Sequence, residues 1–498
     1  MRGVRRRRCA ALVGALLCGT AATLAAPGGH AAAATTVPWG WGWNSQGQVG
    51  DGTNGDELSP VPVQGGLSGV VSLSAGGEHS LAAQSDGTVW AWGGNFSHQL
   101  GTGVYNNSGY SNVPVQVPGV AGVIQVAAGY NHSLALESDG TVWAWGDNQG
   151  YELAQPGQFD SVSPVQVQGV SNVTAIAAGD AFSLALESDG TVWEWGVDLP
   201  PAGQTPVQVG GLGNVTSITA GWGSALAITA DGTLWAWGSN YGGQLGTGDE
   251  TDRSVPVQVG GLSGVVAAAI GSDHALAVTA DGTAWSWGNN SLGQLGNGTV
   301  ATSGCYCIPT PEPVPGITAV TRVAAGADHS LALTSDGRIW GWGRNSEGEV
   351  GNNSTQSPVT SPVPLWSVDG AVLITAFNHH SLALGLPGGP APPPAAPPGL
   401  TASPGATLGA VDLSWGVPST PIGAPIQSYL VYRSTSSGSE TLLATVPAWA
   451  THYTDTTAKP LTTYYYEVAA TNPAVGPLSN EACAVAYPWH SALGCSVP

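Results

Sequence analysis

Histidine offers the most obvious chemistry in this sequence, because five histidines recur in one local pattern. Each stands before Ser-Leu-Ala-Leu or a close variant of it, at His79, His132, His274, His329 and His380. Phe182 and Ser224 occupy the same position in two further copies. The copies are spread along the chain, so each imidazole belongs to a separate repeat and they do not gather around one ion. We expect each histidine to make a structural hydrogen bond, and we predict no metal site.

Motifs that carry catalysis are missing from the sequence. It contains no Gly-x-Ser-x-Gly, no His-Glu-x-x-His and no phosphate-binding P-loop. We therefore predict a non-enzymatic protein without a cofactor. A secreted hydrolase or lyase is the alternative, because two carboxylates from different repeats could still meet in a site that no motif announces.

The N-terminal segment predicts export. Arg2 and residues 5–8 form a basic start, residues 9–26 are apolar, and residues 30–34 are small. This is the pattern of a signal peptide over residues 1–34, whether of the general secretory or the twin-arginine type. The apolar part is short for a membrane span, and we predict none in the mature chain. The predicted location is extracellular.

Charge excludes one class of partner. Without residues 1–34 the chain has six Lys and Arg against 32 Asp and Glu, a net charge of −26. Nucleic-acid binding depends on Lys and Arg that displace counterions from phosphates, so we predict no nucleic-acid partner. An acidic surface is typical of a solvated extracellular protein, and it could also attract a basic one.

The elements that position these residues come from one repeated unit, clearest as GYNHSLALESDGTVWAWG from Gly129 to Gly146. Its two alternating runs meet at Asp139-Gly140, which predicts a hairpin with a type I′ turn. A third run precedes this hairpin, and a fourth, Pro-Val-Gln-Val, follows it. Four short strands in a repeat of about 40 to 55 residues are typical of a propeller blade.

The number of repeats predicts seven blades. The motif Trp-x-Trp-Gly occurs seven times, at Trp39, Trp90, Trp143, Trp193, Trp235, Trp285 and Trp340. The histidine position also occurs seven times, but only six Asp-Gly turns join the two motifs. We therefore expect the N-terminus to supply the third and fourth strands of the last blade and the C-terminus to supply the first two. Because residues i and i+2 of a strand share a face, the tryptophan pairs should pack between blades.

The pattern AAGxxHSLALxxDGTVWAWG, followed by NxxGQLGTG, resembles the regulator-of-chromosome-condensation repeat family in its secreted bacterial form. The resemblance covers about residues 37–386 and implies a seven-bladed β-propeller over residues 35–386. Residues 173–209 depart from it, since they lack the Gly-Gln-Leu-Gly loop. The family's founder is a nuclear guanine-nucleotide exchange factor, an activity that export and acidity argue against here. Secreted bacterial relatives include a β-lactamase inhibitor, so inhibition of an extracellular enzyme is one implied role.

The C-terminal part predicts a second all-β domain. Residues 387–398 form a Pro-rich linker, and residues 399–487 contain alternating strand runs suited to a β-sandwich. These runs resemble a fibronectin type III domain, which implies that Trp415 is its core tryptophan and Tyr464 its tyrosine-corner residue. Residues 488–498 are a C-terminal tail.

Cysteine numbers fit an exported protein, because four cysteines remain after residue 34. We predict a disulfide between Cys483 and Cys495 that attaches the tail to the sandwich. For Cys305 and Cys307 we favour a local bridge. Pairing with a partner and metal binding remain alternatives for these two.

The order of strands places all variable loops on one face of the ring. The Ala-Gly-x-x-His turns and the Gly-Gln-Leu-Gly loops should lie together there, with the Asp-Gly turns on the opposite face. Aromatic and acidic residues alternate in these loops, as at protein-binding surfaces. The predicted partner is an extracellular protein, and a cell-wall polysaccharide is the alternative. The candidate contact residues are Glu78, Tyr130, Asn131, Asp180, Trp222, Asp273, Asp328, Phe377, Tyr241 and Tyr306.

Overall fold

The computed structural model describes residues 22–23, 36–103, 109–197, 203–303, 306–387, 394–407, 409–418, 426–472 and 475–486. The chain divides into two units, residues 1–387 and 388–498. The predicted tail and all of the predicted signal except Ala22 and Thr23 lie outside the described residues.

The first unit consists of seven antiparallel sheets of the same design, which we call blades. Within a blade the four strands pair in chain order, and the first strands of neighbouring blades contact each other. The first strands therefore line the centre of the ring. Most apolar residues of the first three strands are buried between adjacent blades, whereas the fourth strands leave residues such as Val255 exposed.

The strands have the following bounds. Three precede the first complete blade: β1 (Ala22–Thr23), β2 (Val37–Gly42) and β3 (Glu57–Pro62). The first and second blades contain β4 (Val70–Ala75), β5 (His79–Gln84), β6 (Val89–Gly94), β7 (Tyr110–Val117), β8 (Val123–Ala128), β9 (His132–Glu137), β10 (Val142–Asp147) and β11 (Asp160–Gln166). The third and fourth contain β12 (Val173–Ala178), β13 (Phe182–Glu187), β14 (Val192–Gly196), β15 (Val207–Gln208), β16 (Val215–Ala220), β17 (Ser224–Thr229), β18 (Leu234–Gly238) and β19 (Arg253–Gln258). The fifth and sixth contain β20 (Val265–Ile270), β21 (His274–Thr279), β22 (Ala284–Asn289), β23 (Cys307–Pro313), β24 (Val320–Ala325), β25 (His329–Thr334), β26 (Ile339–Gly343) and β27 (Val359–Leu365).

The seventh blade is assembled from both ends of the unit, as the sequence predicts. Its sheet order is β28 (Val368–Phe377), β29 (His380–Pro387), β2 and β3. In the register of β2 with β29, Trp41 lies opposite Ser381. The short strand β1 pairs with β4 in the first blade.

The hairpin turns differ from the predicted type. At Asp139-Gly140 only the glycine has positive φ, at 88°, and its N–H donates to the Glu137 carbonyl at 3.0 Å. This geometry fits a type I turn closed by a left-handed glycine, not a type I′ turn. Asp139 keeps negative φ because its carboxylate accepts the Thr141 N–H at 2.9 Å.

The paired tryptophans are buried unequally. The second of each pair is fully buried: Trp41, Trp92, Trp145, Trp195, Trp237, Trp287 and Trp342. The first of each pair is half-buried, apart from Trp39 at 6% exposure. The prediction of core packing is therefore confirmed for the second tryptophan and holds only in part for the first.

The third blade replaces its missing loop with a side chain. In six blades the buried tryptophan donates its indole N–H to a loop carbonyl of the preceding blade, as Trp92 does to Gln48 at 2.8 Å. Trp237 follows the blade without that loop, and it donates to the Glu194 carboxylate at 3.0 Å. Burial raises the pKa of Glu194 to about 7. Glu194 of the third blade thus supplies the hydrogen-bond acceptor that a loop carbonyl supplies in the other six blades.

The second unit contains two antiparallel sheets. One is formed by β30 (Thr401–Pro404), β31 (Val411–Ser414) and β34 (His452–Asp455). The other has the order β33 (Thr441–Pro447), β32 (Ser428–Ser434), β35 (Thr463–Thr471) and β36 (Ala482–Val485). Residues of both sheets share one apolar core, in which Trp415 lies 5.5 Å from Tyr429 between ring centroids. The Tyr464 hydroxyl accepts the backbone N–H of Lys459 at 3.1 Å.

Two further predictions concern cysteines and membrane spans. Cys307 and Cys483 are disulfide-bonded, but the predicted partners, Cys305 and Cys495, lie outside the described residues, so both pairings stay predictions. Across the described part of the chain, no helix combines the length and the apolar character needed to cross a bilayer.

Candidate functional site

The candidate site is one face of the propeller, which we call the loop face. It is formed by the turns between the first and second strands of each blade and by the loops between the third and fourth strands. The loops are held by asparagine: Asn240 Oδ1 accepts the Leu245 N–H at 2.8 Å, and Asn240 Nδ2 donates to the Asp249 carbonyl at 2.9 Å. The loop then passes so close to the next blade that a Cβ on Gly246 would lie 2.8 Å from the Trp287 indole nitrogen. Each loop is thus fixed by its own asparagine and by the neighbouring blade.

An aromatic pair lies at the centre of the loop face. The Tyr130 and Trp222 rings meet edge to face, with centroids 5.4 Å apart and planes at 74°. These residues come from the second and fourth blades, so their contact joins two blades that are not neighbours in the ring. Both are half-buried and pack on the apolar cluster that contains Leu73. Their backbone N–H groups donate to the neighbouring blades, at Gly179 and Gly271.

The prediction that Phe377 contacts a partner is wrong. Its side chain is only 2% exposed, because it ends the long first strand of the seventh blade and packs in the same apolar cluster as Leu73. Phe377 therefore supports the aromatic pair from beneath and cannot itself contact a partner.

Two carboxylates flank Tyr130. Burial, followed by the negative charges of Glu78 and Asp180, raises the pKa of the Tyr130 hydroxyl. Burial also raises the pKa of Glu78. The structure therefore groups four of the predicted contact residues, namely Glu78, Asp180 and the aromatic pair.

A second group forms at the fourth, fifth and sixth blades. The Tyr241 hydroxyl hydrogen-bonds the Asp273 carboxylate, and burial together with this bond raises the pKa of Tyr241. Gln294 Nε2 donates to Asp328 Oδ1 at 3.3 Å. Burial raises the pKa of both Asp273 and Asp328, and the charge of Asp273 raises that of Asp328 further. Asp273 Oδ1 is buried without a hydrogen bond.

The remaining predicted residues are not drawn into these groups. Asn131 is half-buried, and its carbonyl accepts the Asp147 N–H at 3.0 Å. Tyr306 is 47% exposed on the long loop of the fifth blade.

The sequence reasoning missed a third group on this face. Arg344 Nη2 lies 2.8 Å from Glu347 Oε1, and Arg344 Nε lies 3.4 Å from Glu349 Oε1. His379 Nδ1 lies 4.0 Å from the same Glu349 oxygen. Glu347, Glu349 and His379 are the one set of side chains among the described residues with the composition and spacing to ligate a metal ion. The available signal was Glu349, which replaces the usual loop glutamine.

The opposite face is different in character. A cavity of about 760 Å³ opens there, lined by Asp231, Gly232, Asp281, Gly282 and neighbouring turn residues. This cavity is the alternative to the loop face as a binding surface, because ligands usually bind in concave sites.

Family comparisons agree with this architecture. The model for the Regulator of chromosome condensation (RCC1) repeat matches residues 39–83, 86–136 and 139–186, and the model for the RCC1-like domain matches residues 171–388. The chain belongs to the RCC1 repeat family. Together these matches run from residue 39 to residue 388 and include strands of all seven blades.

Solved RCC1 structures share the fold. Prp20p from Saccharomyces cerevisiae, described with its binding properties to Gsp1p and histones, has a TM-score of 0.64 and 24% identity, over 71% of this chain and 92% of its own. Human WBSCR16 has a TM-score of 0.62 and 23% identity, over 71% of this chain and 99% of its own. At these identities the likeness concerns the fold alone.

Curated RCC1 relatives match over shorter stretches. Protein pim1 of Schizosaccharomyces pombe is 35% identical over 142 residues, which are 25% of this chain and 26% of pim1. The ultraviolet-B receptor UVR8 of Arabidopsis thaliana is 34% identical over 112 residues, or 22% of this chain and 24% of UVR8. The chain thus spans about a quarter of the length of these relatives.

Proposed function

We propose that this RCC1 propeller is a secreted, non-enzymatic scaffold that binds an extracellular protein through its loop face. The observation that carries the proposal is the Tyr130–Trp222 pair, which joins two blades and has the carboxylates of Glu78 and Asp180 beside Tyr130. Aromatic side chains on a rigid frame bury large areas at little cost in conformational entropy, which makes them frequent anchors of protein interfaces.

The same face favours a basic partner. Glu78, Asp273 and Asp328 are half-buried carboxylates whose pKa values are raised by burial, so their charged forms lack full compensation, although Tyr241 bonds Asp273 and Gln294 bonds Asp328. A lysine or arginine from the partner would supply that compensation. It could also stack on the exposed part of Trp222, because aromatic faces attract cations. Inhibition of an extracellular enzyme is one form that such binding would take.

The extracellular setting rests on the sequence. The basic and apolar start of the chain and its excess of acidic residues are typical of an exported protein. We propose that the second unit is a fibronectin type III spacer. The Trp415 side chain in its core and the bond from Lys459 N–H to the Tyr464 hydroxyl support this assignment, since that domain type has both features.

The test is capture by the whole immobilised chain from culture filtrate and cell-wall fragments of its own source. We expect retention of a basic protein by the wild type and its loss from the double variant Tyr130→Ala, Trp222→Ala. Phe159→Ala is the matched control, because Phe159 is 82% exposed and belongs to neither the aromatic pair nor the Tyr241–Asp273–Asp328 group.

Three outcomes would contradict the proposal. Equal retention by the double variant would place the binding surface elsewhere. Retention of glycan in place of protein would favour the cell-wall role. Turnover of a substrate by the wild type would make the protein an enzyme.

A further inference from the structure

We propose that Glu347, Glu349 and His379 form a binding site for a divalent transition-metal ion of the zinc type, in which Arg344 is the counter-cation when no metal is bound. The site lies on the loop face, where the loop of the sixth blade meets the first turn of the seventh. Metal binding at this site does not require the proposed protein partner.

The ligand geometry is close to what such an ion requires. One ligand atom from each of the three side chains lies within 4.8 Å of the other two. Around zinc, with bonds of about 2.0–2.2 Å to nitrogen and oxygen, ligand atoms are roughly 3.3–3.6 Å apart. The 4.0 Å between His379 Nδ1 and Glu349 Oε1 is therefore closed by small side-chain rotations.

Comparison of the repeats shows that Glu349 is one of two loop glutamates, with Glu152, at a position that is otherwise glutamine. The equivalent residue is glutamine in four loops, at Gln48, Gln99, Gln244 and Gln294. There the side-chain oxygen accepts the N–H two residues earlier, as Gln244 does from Gly242 at 2.9 Å. Glu349 keeps that bond through Oε2, from the Glu347 N–H at 2.9 Å. Its other oxygen, Oε1, takes the place of an amide donor, is buried, and has no hydrogen bond.

The two other ligands are also particular to this junction. The positions equivalent to Glu347 are Gln46, Ser97, Gly150, Gly242 and Leu292. Those equivalent to His379 are Glu78, Asn131, Ala181, Gly223, Asp273 and Asp328. The repeat fold therefore does not require Glu347, Glu349 or His379 at these positions. All three occur together at the junction of the sixth and seventh blades.

A divalent ion would neutralise the two carboxylates of this site better than Arg344 alone does. One guanidinium lies between two carboxylates, one of which, Glu349, has a fully buried side chain. The group thus keeps a negative charge away from solvent, which is costly. The Arg344 side chain, which also contacts the His379 ring, is 22% exposed, so it would turn towards solvent to release all three ligands.

The donor set selects the class of metal. Two carboxylates and one imidazole suit zinc and its neighbours among the transition metals. Calcium prefers an all-oxygen shell of six to eight ligands, so it should bind poorly. A bound ion would join the sixth blade to the seventh, beside the sheet that the two ends of the unit form together.

The test uses the whole chain, stripped with a chelator and titrated with Zn²⁺ while heat of binding and Tm are measured. We expect Glu349→Gln to weaken zinc binding at this site by at least about tenfold. Glu152→Gln is the matched control: Glu152 is the other loop glutamate, its junction partner is Ala181, and its variant should bind zinc like the wild type. Arg344→Gln should bind about tenfold more tightly, since a competing charge is gone.

The proposal fails if zinc changes neither heat nor Tm in the wild type and in Arg344→Gln. It also fails if Glu349→Gln binds zinc as well as Glu152→Gln does, because the ion would then occupy another site. The Glu349→Gln variant should fold like the wild type, since glutamine is the residue found in four of the equivalent loops. Ca²⁺ in place of Zn²⁺ should leave Tm unchanged, and an equal shift would overturn the assignment of metal class.

Discussion

His380 Nε2 lies 2.9 Å from Ser80 Oγ, and this contact joins the last blade of the propeller to the first. It is one of five such bonds between neighbouring blades, the others being His79–Ser133, His132–Ser183, His274–Ser330 and His329–Ser381. Ser80 donates its single proton to the Gln48 carbonyl at 2.8 Å, so His380 must be the donor in this pair. The structural role predicted for the recurring histidines is thus confirmed.

The two interruptions of this pattern are paired. Where Phe182 and Ser224 replace histidine, the serine position of the following blade is Ala225 and Ala275. Each of these histidines therefore faces a serine of the next blade, and neither blade that lacks the histidine faces a serine. For Phe182 and Ala225 this is the expected pattern, because a lone buried polar group costs more than an apolar contact. The Ser224 hydroxyl, in contrast, is buried without a hydrogen bond.

We expect Ser80→Ala to lower the free energy of unfolding by about 1–3 kcal/mol, because it leaves a buried imidazole N–H without an acceptor. The double variant His380→Phe, Ser80→Ala copies the natural Phe182–Ala225 arrangement and should recover part of that loss. Chemical denaturation measures both. A double variant less stable than Ser80→Ala would show that the two residues do not act as a pair.

The buried histidines should make stability fall with acid. Burial lowers the pKa of His380 to about 3, whereas an unfolded histidine titrates near 6.5. Its stabilising contribution is thus complete above about pH 6.5 and is lost progressively as the pH falls towards 3. The gap in unfolding free energy between the wild type and the His380→Phe, Ser80→Ala variant should narrow over that range. A gap that is constant with pH would contradict a neutral His380 in the folded protein.

Glu194 should have the opposite dependence. Burial raises its pKa to about 7 from an ordinary value near 4.5, so folding favours its protonated form. Its contribution is present below about pH 4.5 and is lost as the pH rises through 7. The variant Glu194→Gln should therefore gain stability relative to the wild type between pH 4.5 and 7. The exposed Glu250→Gln is the control, and an equal trend in both variants would refute the assignment.

Asp273 and Asp328 should control the rate at which a basic partner associates. Replacing both with asparagine keeps their shape but removes the negative charge, so the association rate constant and its salt dependence should both fall. Surface plasmon resonance at several ionic strengths measures this effect with the captured partner. If only the dissociation rate changed, the two carboxylates would be contact residues without a steering role.

Repetition explains why so much of the fold could be predicted. Each blade repeats the same strand and turn residues, so errors in one copy are corrected by the others. The turn type was wrong because Asp139 caps the Thr141 N–H with its side chain and needs no positive φ. The burial of Phe377 depends on the length of β28, which its repeat neighbours do not share.

The group formed by Arg344, Glu347, Glu349 and His379 could not be predicted from the sequence, for a similar reason. Contact between Glu349 and His379 depends on how the loop of one blade lies over the next, which local patterns do not specify. Aligning the repeats would have revealed Glu349 in a glutamine position. It would not have revealed Arg344 between the two glutamates.

The most direct test of the central claim is amide hydrogen exchange of the whole chain with and without the captured partner. The loop-face turns at residues 129–131, 221–223, 271–273 and 326–328 should exchange more slowly in the complex. The Asp-Gly turns at residues 230–232 and 280–282, which line the cavity on the opposite face, should be unchanged. Protection of those turns with none on the loop face would contradict the account.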